Sequence, residues 1–272
     1  MTVELSWGVG TDRGLRRAAN EDSFLAAPPL FLVADGMGGH DAGAEASRAA
    51  IEGFRALAGQ SSVSVDEMEA AFAAAAARVA SIETDRSAAG TTLTGAALCD
   101  QGGATYWLVL NIGDSRTYRL YEGELEQISV DHSAVQALVE SGQISQDAAE
   151  THPERNVVTR AVGAGSAGVP DYWLLPARVG DRLMICSDGL PKELGFGEIR
   201  TALLAEASPQ AAATRLLHEA LVHGGRDNVT VVVVDAHGAL APDDEQTLPI
   251  AGTAPRVSDD TAPRPGMEAS AC

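Results

Sequence analysis

Four aspartates of this chain stand where an apolar run meets a turn. Asp35 closes LFLVAD and is followed by glycine at three of the next four positions; Asp114 follows LVLNIG, Asp188 follows LMICS, and Asp227 precedes NVTVVVV. An aspartate at a strand end is ordinarily a turn former or a helix cap. Four of them, each beside an apolar strand, could converge on one rim of a sheet, where their mutual repulsion would call for cations. Oxygen-only donors select Mg2+ or Mn2+ over zinc, and two such ions about 3.5 to 4 Å apart support metal-assisted hydrolysis by in-line displacement. That chemistry needs no nucleophilic side chain. A fifth stretch, TDRGLRRAANEDSF, sets Arg13, Arg16 and Arg17 ahead of Glu21 and Asp22. A guanidinium fork matches the oxygens of a phosphoester held at such a centre.

Other chemistries find no support in the residues. Lys192 is the single lysine and follows Pro191, so it completes neither a phosphate-binding P-loop nor the strand lysine of a protein kinase. Cys99, Cys186 and Cys272 form no C-x-x-C pair, which favours a reducing cytosol over a disulfide framework. A cysteine phosphatase loop wants arginine six residues after its nucleophile, and Thr105 and Lys192 occupy those places. The net charge of -19 argues against binding to nucleic acid or an anionic membrane surface. No apolar run reaches the length of a membrane span and the N-terminus lacks a basic region followed by an apolar one, so a cytoplasmic protein is expected.

These residues need strands to carry them. Strand signals fall at 3–10, 30–34, 91–99, 104–112, 115–121, 156–162, 171–178, 181–186 and 228–235, with hairpin turns such as DQGG and YEGE between several. Helical signals fall at 43–58, 66–85 and 209–223. In the second of these, Met68, Phe72, Ala75, Val79 and Ile82 share one helical face. Strands joined by short turns, with helices in separate blocks, predict antiparallel sheets covered by helices. From residue 237 the composition turns rich in proline and acidic residues, so 1–236 is expected to be the folded domain and 237–272 a disordered tail.

The ordered set RGLRRAANEDS, VADGMGGHDAG, GTTLTGA, NIGDSRTYRL, DHSAVQALVESGQI, HPERNVVTRAVG, CSDGL and RDNVTVVVV resembles the type 2C (PPM) metal-dependent protein serine/threonine phosphatases in their short bacterial form, over roughly residues 5–236. The resemblance implies an α+β fold, a four-layer αββα sandwich of two antiparallel sheets flanked by helix pairs, with metals in a cleft at one end. It implies Asp35, Asp188 and Asp227 as direct ligands of two Mn2+ or Mg2+ ions, with the Gly36 carbonyl as a further ligand and the missing side chain of Gly36 giving the ion access to main chain. Asp22 would hold water at the metals, and Asp114 with Asp188 would form a third, weaker site. Arg17 aligns with the phosphate-binding arginine; Arg13 and Arg16 lie in the same loop. Eukaryotic members carry histidine, a proposed proton donor, where this chain has Met37; His40 lies nearby in another register, as cap of a following helix or as a catalytic group. Residues 131–163 correspond to the family's flap, in which His152, Arg155 and Arg160 either anchor the loop or meet substrate.

The implied activity is hydrolysis of phosphoserine and phosphothreonine on proteins, opposing serine/threonine kinases, by a monomer that neither enters membranes nor binds nucleic acid. An alternative, a phosphoprotein-binding module that has lost catalysis, predicts a missing metal ligand, and Asp35, Asp188 and Asp227 are all present.

Overall fold

The strand VTVVVVDAH, β13, is buried over all but its last residue. Branched side chains suit a pleated strand covered on both faces. Its alternate residues serve two different cores: Val231 and Val233 pack under helices, whereas Val232, Val234 and Ala236 pack against a second sheet. The strand LFLVADGM, β3, mirrors this, with Phe31 and Val33 between the sheets and Leu30, Leu32 and Ala34 against helices.

In the computed structural model, which describes residues 4–38, 41–83, 89–163, 166–238 and 248–249, these patterns build the expected four layers. The strands are β1 (Glu4–Asp12), β2 (Asp22–Ala27), β3 (Leu30–Met37), β4 (Gly90–Thr91), β5 (Leu93–Gln101), β6 (Ala104–Ile112), β7 (Arg116–Tyr121), β8 (Glu124–Gln127), β9 (Val162–Gly163), β10 (Ser166–Ala167), β11 (Asp171–Pro176), β12 (Arg182–Cys186), β13 (Val229–His237) and β14 (Leu248–Pro249). One sheet runs β1-β13-β12-β7-β8. The other runs β10-β9-β4-β3-β5-β6-β11-β14, with β2 also paired to β3. Every pairing is antiparallel. Helices α1 (Asp41–Phe54) and α2 (Val65–Ala80) cover the second sheet, while α5 (Gly189–Glu193), α6 (Phe196–Ala205) and α7 (Pro209–His223) cover the first. The flap carries α3 (Ala134–Glu140) and α4 (Gln146–Glu150).

The turn chemistry agrees with this order. Gly102 and Gly103 both take positive φ between β5 and β6, as do Glu122 and Gly123 between β7 and β8; a two-residue hairpin demands that conformation. Helix α2 opens on a capping box in which Ser64 Oγ accepts from Glu67 N and Glu67 Oε2 accepts from Ser64 N. Its buried face is Met68, Ala71, Ala75 and Val79, with Phe72 and Ile82 packed at the margin, and it ends at Ala80 rather than 85 because Ser81 caps it.

Two expectations need correction. The run 156–162 is a loop up to Ala161 and reaches β9 only at Val162: apart from a single bridge from Val158 to Ser133, its backbone is held by loop contacts such as Thr159 N to His132 O at 2.8 Å. Conversely, β2 and β8 were not expected. Of the segment 237–272, His237 ends β13, Gly238 follows it at positive φ, and Leu248–Pro249 pairs with Trp173 and Leu174 of β11; the rest lies outside the described residues, as does His40. Cys99 and Cys186 are buried free thiols. Among the described residues no helix is long and apolar enough to cross a membrane.

Candidate metal centre

Register alone brings the aspartates together. Arg116, at the start of β7, sits opposite Cys186, the last residue of β12, and Cys186 sits opposite Val231 near the start of β13. Residues 114–115, 187–188 and 227–228 therefore leave the first sheet at the same end. On the second sheet Asp22 lies directly opposite Asp35 across the β2–β3 pair. Asp35 lies two residues beyond Val33, so strand alternation puts it on the face between the sheets. Hydroxyls stitch the two sheets here: Thr92 Oγ1 to Ser115 Oγ at 2.7 Å, Thr94 Oγ1 to Thr117 Oγ1 at 3.0 Å, and Ser187 Oγ donating to Asp22 Oδ2 at 2.8 Å. Thr91 and Thr92 hold Asp35 from beneath the rim. Thr92 Oγ1 accepts from Asp35 N at 3.0 Å, while Thr92 N and Thr91 Oγ1 donate to Asp35 O at 2.9 and 2.8 Å.

Gly36 has a packing reason of its own. A Cβ there would lie 2.1 Å from the Gly43 carbonyl of α1 and 2.7 Å from the Glu21 carbonyl. Bare backbone is required because the first turns of α1 press on β3. We predict that Gly36→Ala costs about 1–3 kcal/mol by overpacking, measured as a lower urea midpoint in metal-free protein; an unchanged midpoint would show that α1 can move away freely.

Like charges this close raise one another's pKa. Burial first, then the charges of Asp22, Asp188 and Asp114, hold the Asp35 carboxyl well above its usual range. Asp22 is pushed up to about 7, chiefly by burial against hydrogen bonds from Thr230 and Ser187, and Asp114 to about 7 by burial and the charge of Asp188. Asp227 moves the other way: burial opposes ionisation, but Lys192 and Arg17 more than offset it. Arg17 Nε contacts Asp227 Oδ1 at 2.8 Å, and more than half of the arginine side chain is exposed.

Several positioning residues were not read from the sequence. Asn228 joins the arginine loop to the Asp227 turn, donating to Arg13 O and Ala19 O at 2.9 Å each and accepting from Glu21 N at 2.9 Å. Glu193, its side chain 1% exposed, grips the same turn by accepting from Arg226 N at 2.7 Å and Arg226 Nε at 3.0 Å. Lys192 ion-pairs with Asp188 and, at 3.2 Å, with Asp227. Its only sequence signal is the spacing of four residues from Asp188, one turn of helix. Cys186 fills the core beneath Asp188, and burial pushes its thiol up to about 12, which leaves it inert as a nucleophile. In the flap, Arg160 pairs with Asp171 at 3.0 Å beside His132 at the same distance, so Arg160 anchors the loop. Arg155 and His152 bond within the loop itself.

The donor set fits hard divalent ions. The carboxylates and main-chain carbonyls of the rim are oxygen donors, and Asp22 Oδ1 and Asp188 Oδ1 are buried without a hydrogen-bond partner, a costly arrangement unless a cation completes it. As they stand, no three His, Cys, Asp or Glu side chains among the described residues close on one point as a finished metal cage.

The sequence matches the profile of the protein phosphatase 2C family over residues 9–222. The chain belongs to this family. It is similar to the serine/threonine protein phosphatase PstP of Mycobacterium tuberculosis, 39% identical over 278 residues that cover 95% of this chain and 53% of that protein. It also resembles the serine/threonine phosphatase stp of Listeria welshimeri, 33% identical with 83% of this chain and 93% of that protein covered. Among solved structures, the catalytic domain of PstP in complex with two manganese ions superposes with a TM-score of 0.78 at 37% identity, covering 87% of this chain and 100% of that one. The chain thus spans about half the length, 53%, of the PstP protein it matches.

Proposed function

We infer that this phosphatase 2C-family chain hydrolyses phosphoserine and phosphothreonine on proteins. The observation that carries the reading is the convergence of Asp22, Asp35, Asp114, Asp188 and Asp227 at one end of the sandwich, with two buried carboxylate oxygens left without partners. Asp35, Asp188, Asp227 and the Gly36 carbonyl would hold two Mn2+ or Mg2+ ions, with Asp22 acting through water. When bound, the ions supply an acidified water and positive charge at the displaced phosphoryl oxygens. The chain's own contribution is placement. Asn228 and Glu193 fix the turn that carries Asp227, Thr91 and Thr92 fix Asp35, and Ser187 orients Asp22.

Arg17 sits at the mouth on Asp227, where its exposed fork can turn from carboxylate to phosphoryl oxygen. We expect Arg17→Ala to raise KM about tenfold, the loss of one charge-assisted contact of about 1.4 kcal/mol, with kcat lowered less and Arg17→Lys intermediate. Equal KM for all three proteins would remove Arg17 from substrate binding.

The reading extends to a catalytic domain over 1–236 with 237–272 as a tail, acting as a cytoplasmic monomer on the products of serine/threonine kinases. The similarity to relatives named as serine/threonine phosphatases supports the phosphoprotein substrate class. Its test is initial-rate phosphate release from a phosphothreonine peptide by EDTA-stripped protein titrated with Mn2+. Release that depends on Mn2+ and collapses in Asp188→Asn is the expected result; none from folded protein would refute the reading.

A further inference from the structure

The chain carries 38 acidic residues against 19 lysines and arginines, and only at Arg13, Arg16 and Arg17 do three of these basic residues fall within five positions. No acid stands between Arg13 and Glu21. The loop that holds the cluster is fixed by main chain to the turn of Asp227: Leu15 N donates to Gly225 O at 2.7 Å, and Asn228 Nδ2 donates to Arg13 O and Ala19 O at 2.9 Å each. Gly14 takes positive φ, and a Cβ there would lie 2.2 Å from the Asp227 carbonyl, so the loop backbone packs directly on that turn. Arg16 therefore stands between Leu15, held at Gly225, and Arg17, whose Nε contacts Asp227. Arg13 and Arg16 are exposed, and among the described residues neither meets a carboxylate; Arg13 Nη1 donates to Ala18 O at 3.4 Å.

We propose that Arg13 and Arg16 make this mouth selective for phosphopeptides that carry a second anionic group close to the phosphorylated residue, either an acidic side chain or another phosphate. The inference rests on the phosphatase reading above and names a substrate class for it. With Arg17 turned to the phosphoryl group that is cleaved, the neighbouring guanidiniums remain free, and each offers a planar fork that matches carboxylate or phosphate oxygens. An extended peptide advances about 3.3 Å per residue, so an anion within three residues of the cleaved phosphate stays within about 10 Å of it. Arg16, next to Arg17 in the loop, can meet it there. The net charge of -19 would repel such a peptide at long range, but at physiological ionic strength charges more than about 8 Å away are largely screened. The local cluster then outweighs the distant acids. Because the loop backbone is already fixed on the Asp227 turn, binding pays little to order it.

The test is kcat/KM of the Mn2+-loaded protein on three phosphothreonine peptides of one length, beside p-nitrophenyl phosphate. One peptide has neutral flanks, one has glutamates within three residues of the phosphothreonine, and one has a second phosphothreonine in their place. The anionic peptides should exceed the neutral one by about tenfold, the size of one charge-assisted contact, chiefly through KM, and the margin should shrink as salt is raised. Arg13→Gln/Arg16→Gln should erase most of the margin and leave hydrolysis of p-nitrophenyl phosphate unchanged, because that ester has no flank to read. Arg16→Glu should favour the neutral peptide. A margin seen with only one of the two anionic peptides, and lost in the double variant, supports the proposal and identifies carboxylate or phosphate as the second anion. Equal kcat/KM on all three peptides would overturn it, as would a margin that survives in the double variant. No release from any of the four substrates would instead defeat the phosphatase reading, and this proposal with it.

Discussion

Asp35→Asn is expected to abolish Mn2+-dependent phosphate release while making the metal-free protein more stable. The two effects share one cause. Asp35 lies opposite Asp22 on the neighbouring strand and feels the charges of Asp22, Asp188 and Asp114 in a site withdrawn from water. Asparagine keeps the shape and removes the charge. Divalent ions contribute several kcal/mol of charge stabilisation to such displacements, so losing one of their ligands should lower kcat/KM by about 10³-fold or more. Without metal, the same charge only repels its neighbours. Removing it should raise the melting temperature in EDTA, at about 2–4 °C per kcal/mol relieved in a domain of this size. Steady-state kinetics and thermal melts on one preparation check both halves. A variant that is inactive and also less stable in EDTA would mean that Asp35 is a structural residue.

The second large effect concerns pH. Asp22 and Asp114 titrate at about 7 in the folded chain, against an ordinary value of 3.8, with burial the first cause for each. Their folded pKa values lie above their unfolded ones, so the stability they contribute is fully present below about pH 4 and is lost as pH rises through about 7. Asp227 and Glu193, held below their ordinary values, act in the opposite sense, but their stability is lost only as pH falls below the ordinary carboxylate range. Urea unfolding in EDTA should therefore show stability falling by several kcal/mol between pH 5 and pH 8. Asp114→Asn should flatten that slope. With saturating Mn2+ the slope should reverse, because an ion binds the ionised carboxylates. A flat profile in EDTA would mean that these carboxylates are solvated in the metal-free protein.

The sequence discloses the strand-end aspartates because an acidic residue closing an apolar run is a local pattern. It discloses the sandwich because the buried strands alternate faces or are apolar throughout. The strand β2 escaped because DSFLAA is only partly buried and has just one fully buried side chain, Leu25. The strand expected at 156–162 rests on an apolar run, NVVTRAV, that folds as a loop until β9 begins at Val162, with Val157 47% exposed. The roles of Lys192, Asn228 and Glu193 depend on turns that meet only in the folded chain. Asn228 reaches Ala19 across more than two hundred residues, and no periodicity encodes that contact. Gly36 was legible as a glycine that something must approach closely; the approaching group is helix α1.

The central claim is that the rim of Asp35, Asp188 and Asp227 holds two divalent ions. Anomalous diffraction at the manganese edge from crystals grown with Mn2+ tests it most directly. Two peaks at the rim lined by Asp35, Asp188 and Asp227 are the predicted result. A rim without manganese at saturating Mn2+ would contradict it.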